Sequence, residues 1–229
     1  MELSRIWFSI ICFGCVSFFA AYGQHRPEIL VNLNENICFP SFKDSNLNRL
    51  AQPKLGWSLL AGMMQPLNSW LFCEVGLGVS NARVGLKSAP IVAEKLGYLV
   101  QEGSFSATGN DLSLVFGAGV HRFFLSKCHL RFFGGLYVGY LLNHDAVFTS
   151  RGYGRKDVGY ALASFDDVLV APNFKIAAGY QYHQRHTPEI CLGYRLPVIP
   201  TFSIFSTDKL YLHLLTVGFT YRWRINKGT

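Results

Sequence analysis

Residues 129–142 alternate between two incompatible environments. Leu130, Phe132, Leu136, Val138, Tyr140 and Leu142 fall on one side of an extended chain, and His129, Arg131, Gly135 and Gly139 on the other, with Phe133, Tyr137 and Leu141 among them. A period of two is the signature of a β-strand whose faces meet different surroundings. A soluble antiparallel sheet shows the same alternation, because one face meets a core and the other water. Here the pattern recurs to the C-terminus, glycines sit on the polar face and aromatics gather at the segment ends. That combination predicts a sheet whose apolar face meets lipid and whose inner face is polar.

Composition agrees. Of 229 residues, 50% are hydrophobic and only 15% charged, against about 25% charged in an ordinary globular domain. No run of residues after Gln24 is long enough for a membrane helix, which needs about 20 apolar residues. A barrel spreads its lipid contacts over every second residue. A secreted β-sandwich is the soluble alternative. The net charge of +7 comes from singly scattered Lys and Arg. With no basic run, a nucleic-acid partner is not expected, and the charge suits anionic lipid headgroups and lipopolysaccharide.

The first residues have the form of a secretory leader: Arg5, an apolar stretch over 6–19, then Ala21-Tyr22-Gly23. Cleavage is expected between Gly23 and Gln24, so that 1–23 is a signal peptide and 24–229 the barrel domain. Four cysteines remain, Cys38, Cys73, Cys128 and Cys191. Their spacing is not that of a disulfide framework, Cys73 falls on the lipid face and Cys38 and Cys191 on the inner one, so free thiols are expected.

About eight strands follow from the alternation, over roughly 28–39, 55–64, 70–84, 112–124, 129–142, 174–183, 190–198 and 210–223. The connections alternate in length. Turns at 65–69, 125–128 and 184–188 are short, whereas 40–53, 84–111 (with strand extensions around 97–100) and 143–172 read as long loops. Sorting by parity is what an up-and-down barrel requires, with short turns and both termini in the periplasm and long loops outside. The fold class expected is therefore all-β, a single antiparallel up-and-down transmembrane β-barrel of about eight strands. Trp57, Trp70, Tyr140, Tyr182, Tyr221 and Trp223 are candidates for the aromatic girdles at headgroup level.

The segments Trp70-Leu71-Phe72-Cys73-Glu74-Val75-Gly76-Leu77, residues 132–142, Ile176-Ala177-Ala178-Gly179-Tyr180 and Val217-Gly218-Phe219-Thr220-Tyr221-Arg222-Trp223 resemble the PorT-like family of small outer-membrane β-barrels. The resemblance implies an integral protein of a Gram-negative outer membrane, with one branch of the family active in protein secretion. It brings no catalytic residue. Many barrels end on an aromatic residue read by the barrel insertion machinery, whereas here residues 224–229 follow Trp223.

Eight strands enclose a space that side chains fill, so the inward charges must satisfy one another. Glu74, Arg131, Lys175 and Arg195 form the expected polar cluster of the lumen, with Arg222, His121, His129 and His183 nearby. Glu74 reads as the acid among them and is expected to pair with Arg131 or Arg195. No catalytic, cofactor or metal site stands out. His144, Asp145 and Ser150 have side chains suited to acid–base chemistry but fall in a stretch read as loop. His183 and His186 lack the further ligands of a tetrahedral metal site. The expectation is a non-enzymatic scaffold or accessory component of the envelope with a link to protein secretion. The alternatives are a surface receptor for a small ligand or host molecule and, further off, a lipid-modifying barrel enzyme.

Overall fold

Eight long strands run antiparallel in chain order: β1 Glu28–Phe42, β2 Lys54–Pro66, β3 Leu71–Ala93, β4 Tyr98–Phe123, β5 Cys128–Ser150, β6 Val168–Tyr180, β7 His186–Arg195 and β8 Asp208–Arg224. Each pairs with its sequence neighbours, and β8 pairs back onto β1 from Glu28↔Arg224 to Phe42↔Leu210, which closes the barrel. The computed structural model describes residues 26–42, 51–93, 98–150, 154–157, 163–165, 167–183, 185–198, 202–204 and 208–225. The expected leader, the cleavage expected between Gly23 and Gln24, and residues 226–229 lie outside the described residues.

The register fixes the shape. Followed strand to strand from Glu28 through Met64, Glu74, Gly117, Gly135, Asn173, Arg195 and Leu214, the hydrogen-bonded row returns to β1 at Cys38, ten residues from its start. Ten residues of stagger over eight strands, at about 3.3 Å per residue and about 4.8 Å between strands, give a tilt of about 41° and a radius of about 8 Å. That tilt is the one membrane barrels adopt.

The outer wall is apolar but for Glu35 on β1. Ile29, Val31 and Leu33 on β1, Leu55, Trp57 and Leu59 on β2, Ile190 and Leu192 on β7, and Val217 and Phe219 on β8 all expose their side chains, Ile190 by 70%. Two outward His–Tyr pairs bracket this band: His213 Nδ1 and Tyr194 OH lie 2.7 Å apart toward the long-connection end, and His186 Nδ1 and Tyr221 OH 2.6 Å apart toward the short-turn end. His213 and Tyr221 are eight residues apart on β8, about 26 Å along the strand and about 20 Å along the barrel axis. That spacing is close to the ~25 Å apolar belt of a bilayer-spanning barrel. Trp70, Tyr182 and Trp223 are exposed at the short-turn end, and Tyr140 is half-buried on the outward parity of β5.

Past the belt the sheet reverses its polarity. Arg83 and Lys87 on β3 and Ser104 and Ser106 on β4 are exposed, while Val84, Leu86, Phe105 and Ala107 are buried on the inward face. The changeover is an outward ladder of amides. Arg83 Nε donates to Asn81 Oδ1 at 3.1 Å, Asn81 Nδ2 to Asn110 Oδ1 at 2.7 Å, and Asn110 Nδ2 to Asn143 Oδ1 at 2.6 Å. Next to it the β4–β5 register slips by one at Asn110/Asp111, and such a bulge increases local twist.

This reversal corrects two expectations. Residues 84–111 are not a long loop: β3 continues to Ala93 and β4 starts at Tyr98, paired as far as Ala93↔Tyr98. In the stretch 143–172, β5 continues to Ser150 and β6 starts at Val168, so His144 and Asp145 stand on a strand, and Gly154–Asp157 adds a short strand against β5. Above the belt neither face meets hydrocarbon, so the apolar-outward signal that marks a membrane strand is absent there. The turn expected at 184–188 is shorter too, since β7 begins at His186.

Candidate functional site

Inside the wall the register brings acids and bases from six strands into one chain of contacts. Lys175 Nζ on β6 donates to Glu74 Oε1 on β3 at 2.6 Å, and Arg131 Nη1 on β5 donates to Glu74 Oε2. Arg131 Nη2 reaches Glu189 Oε2 on β7 at 2.7 Å. Glu189 Oε1 accepts from Arg222 Nε on β8 at 2.6 Å and lies 2.7 Å from His129 Nε2. Arg222 Nη1 donates to Glu28 on β1, whose Oε1 also takes Arg224 Nε at 3.0 Å and Nη2 at 2.9 Å. The order is Lys175, Glu74, Arg131, Glu189, Arg222, Glu28, Arg224, with charge alternating at every step. All but Lys175 and Arg224 are nearly or fully buried. Burying a charge costs several kcal/mol, and only close opposite charges and hydrogen bonds offset that.

The sequence marks Glu74 as the lumen's acid. Glu28, Glu189 and Asp111 are buried there as well. Glu189 shares its parity with Cys191, Gly193 and Arg195, which read as inward, so extending β7 by two residues would have found it. Of the four residues expected to cluster, Glu74, Arg131 and Lys175 meet, whereas Arg195 belongs to a second group nearer the long-connection end. There its guanidinium carbon sits 3.5 Å from the centre of the Tyr137 ring. Tyr137 OH donates to Asp111 Oδ1, and Ser80 Oγ donates to Asp111 Oδ2 at 2.7 Å.

Apolar groups fill the space between charges. The Arg131 guanidinium lies 5.2 Å from the Phe72 ring and Lys175 Nζ 5.2 Å from the Phe133 ring, placements that favour a cation over an aromatic face. Room for these rings comes from glycine. A Cβ on Gly119 would stand 2.5 Å from Phe72 Cζ, and one on Gly135 would stand 2.7 Å from Phe133 Cζ. Leu30, Met64, Phe72, Val115, Phe133 and Tyr137 form a single buried cluster. Between the two polar groups is a cavity of about 40 Å³ that touches Asn34, Ser58, Lys175 and Arg195. Side chains occupy the axis, as the radius demands.

Chemically, the carboxylates described in this interior, Glu28, Glu74, Asp111 and Glu189, are each held by two or more donors. Asn32 with Thr220, and Asn34 and Asn36 with Ser58, continue the network between the groups. Cys38, Cys73, Cys128 and Cys191 are all free thiols, with Cys38 and Cys191 buried. His183 and His186 form an isolated bridge with ring centres 6.4 Å apart, and among the described residues no three His, Cys, Asp or Glu side chains gather as a metal site would need.

The chain matches no known family profile and no curated protein. Its fold matches solved outer-membrane barrels. The outer membrane protein OprG from Pseudomonas aeruginosa aligns over 89% of this chain and 99% of its own, at 11% identity and a TM-score of 0.52. Neisserial surface protein A aligns over 86% and 97% at 12% identity and 0.44. Outer membrane protein AlkL, solved in lipid bilayers, aligns over 90% and 95% at 18% identity and 0.38. The OprG alignment and the closed register agree on the architecture: the chain has the fold of a small, eight-stranded outer-membrane β-barrel.

Proposed function

We propose that the protein is an integral outer-membrane barrel that works as a non-enzymatic scaffold or accessory component of the cell envelope, in an assembly linked to protein secretion. The short turns and both termini face the periplasm, and the strand extensions beyond the amide ladder face outward. One observation supports this above the others: the lumen is filled by the alternating chain from Lys175 to Arg224 together with Phe72, Phe133 and Met64. A filled interior directs the protein's work to its two ends and its wall. The sequence resemblance to PorT-like barrels supports the secretion link. Outer-membrane lipid and lipopolysaccharide surround the apolar belt, with Arg83 and Lys87 at the height of their charged groups.

Affinity purification from a detergent extract tests this reading. Co-purifying envelope subunits are expected, together with a changed profile of secreted proteins when the gene is deleted. A barrel that isolates alone, with an unchanged profile, speaks against it.

The extensions of β3, β4 and β5 favour a second reading, a surface receptor for a small ligand or host molecule. They carry paired backbone well past the belt, to Ala93, Tyr98 and Ser150, so the binding residues would stand on rigid strands. Cells lacking the chain should then lose ligand binding while their secreted proteins stay the same.

A further inference from the structure

Among the described residues, the exposed charges of the short-turn end are of one sign. Arg26, Arg122, Lys127 and Arg185 are exposed there, and the side chain of Arg224 is 40% exposed. The acids described in this half of the barrel, Glu28, Glu74 and Glu189, are buried, at 4%, 1% and 1% exposure. Four of these cations lie on an arc held by backbone hydrogen bonds. Gln181 N donates to Lys127 O at 2.8 Å, Arg224 N to Arg185 O at 2.9 Å, and Ile225 N to Pro27 O at 3.1 Å.

The arc borders a vestibule of about 400 Å³ at the barrel mouth, lined by Arg26, Glu28, His121, His129, Arg222 and Arg224. Its walls hold unused hydrogen-bonding capacity. Nδ1 of His121 and Nδ1 of His129 are buried without a partner, and two of the five N–H donors of Arg224 go to Glu28. A buried polar atom left unpaired is unfavourable, which marks the mouth as an incomplete surface.

We propose that this mouth is a docking site for an acidic, carboxylate-bearing peptide segment of a water-soluble partner. It deepens the scaffold reading and rests on it, since it gives the end assigned to the periplasm a partner of stated chemistry. The position of the vestibule favours such a segment over a lipid headgroup. The vestibule lies inside the ring of strands, whereas the cation placed for lipid is Arg122, beside the outward groove of Trp70, Phe124 and Phe132. The spread of charge favours a peptide over a single inorganic anion. The arc runs over two turns and both ends of the barrel domain, farther than one phosphate reaches, while successive glutamates match it. Guanidinium groups bind carboxylates through paired, directional N–H donors.

The test uses the full mature chain, folded in zwitterionic detergent, with labelled hexaglutamate as probe, hexalysine as control and inorganic phosphate as competitor. Hexaglutamate binding is expected in low salt and should weaken steeply with added salt. It should weaken at least tenfold in the Arg26→Gln/Arg185→Gln double variant and stay unchanged in Arg122→Gln. All three substitutions are at exposed positions, and unchanged electrophoretic mobility of the folded form confirms an intact barrel. No binding in low salt, equal binding of hexalysine, displacement by phosphate at equimolar concentration, or a loss confined to Arg122→Gln would each overturn the proposal. Failure here with a positive affinity purification rejects the carboxylate assignment alone. The reverse pattern rejects the scaffold reading and leaves the binding chemistry standing.

Discussion

Arg131 Nη2 lies 2.7 Å from Glu189 Oε2, and neither side chain exposes surface to solvent. Glu189 also accepts from Arg222 and contacts His129, so its removal leaves two guanidinium groups short of a counter-charge. Breaking a buried pair from one side costs about 3–5 kcal/mol. Glu189→Gln is therefore expected to lower the unfolding free energy by about that amount, measured by urea titration in lipid vesicles. Unchanged stability would mean that water already screens the pair.

Tyr137 tests the second polar group separately. Its hydroxyl donates to Asp111 and lies 3.0 Å from Ser80 Oγ, while its ring carries Arg195. Tyr137→Phe keeps the ring and removes the hydroxyl, so it should cost about 1–3 kcal/mol, the penalty for a buried partner left short. Tyr137→Leu should cost more, because Arg195 loses its aromatic support as well. Equal losses in the two variants would argue that the ring contributes nothing.

Glu35 supplies a prediction of opposite sign. It is exposed on the outward face of β1, opposite Val217 on one side and Trp57 on the other. A charge on the lipid face destabilises in proportion to its depth, and acids do so less than bases. Glu35→Leu is expected to stabilise the barrel by roughly 1 kcal/mol in vesicles. A destabilised variant would indicate that the carboxylate has a partner in the membrane.

Gly119 faces the ring that supports Arg131. A Cβ there would meet Phe132 O at 2.1 Å and Phe72 Cζ at 2.5 Å. Gly119→Ala must push Phe72 off its seat, with an overpacking cost of about 1–3 kcal/mol. Glycine-to-alanine at Gly134, where the nearest atom is Phe174 Cδ1 at 3.9 Å, should be close to neutral in the same assay. If both positions respond alike, the close approach of Phe72 is not what Gly119 serves.

The membrane-spanning part of the fold was legible because hydrocarbon imposes one rule on every outward residue, and Leu130 to Leu142 obey it without a break. Ser104 to Ala107 alternate just as regularly, but with apolar side chains inward, so the outward apolar signal of a membrane strand is missing there. The interior was legible by parity and hidden by boundaries. Glu74 lies within the clean alternation that follows Leu71 and is plain in the sequence, while Glu28 opens β1 and Glu189 follows Pro188, at the end of a stretch that reads as a turn. Which acid meets which base was beyond the sequence, because the pairing of Glu74 with Arg131, 57 residues apart, depends on the stagger of the closed sheet.

The amide ladder from Arg83 to Asn143 has a mechanical consequence. With Leu77 and Leu112 on its lower side and Arg83 and Lys87 above, the wall has a marked waterline. Sinking the molecule by a single strand pair would drag a guanidinium into oil, and lifting it by the same step would strand leucines in water. The protein thus floats at a fixed draught, and a bilayer of different thickness must deform to meet it.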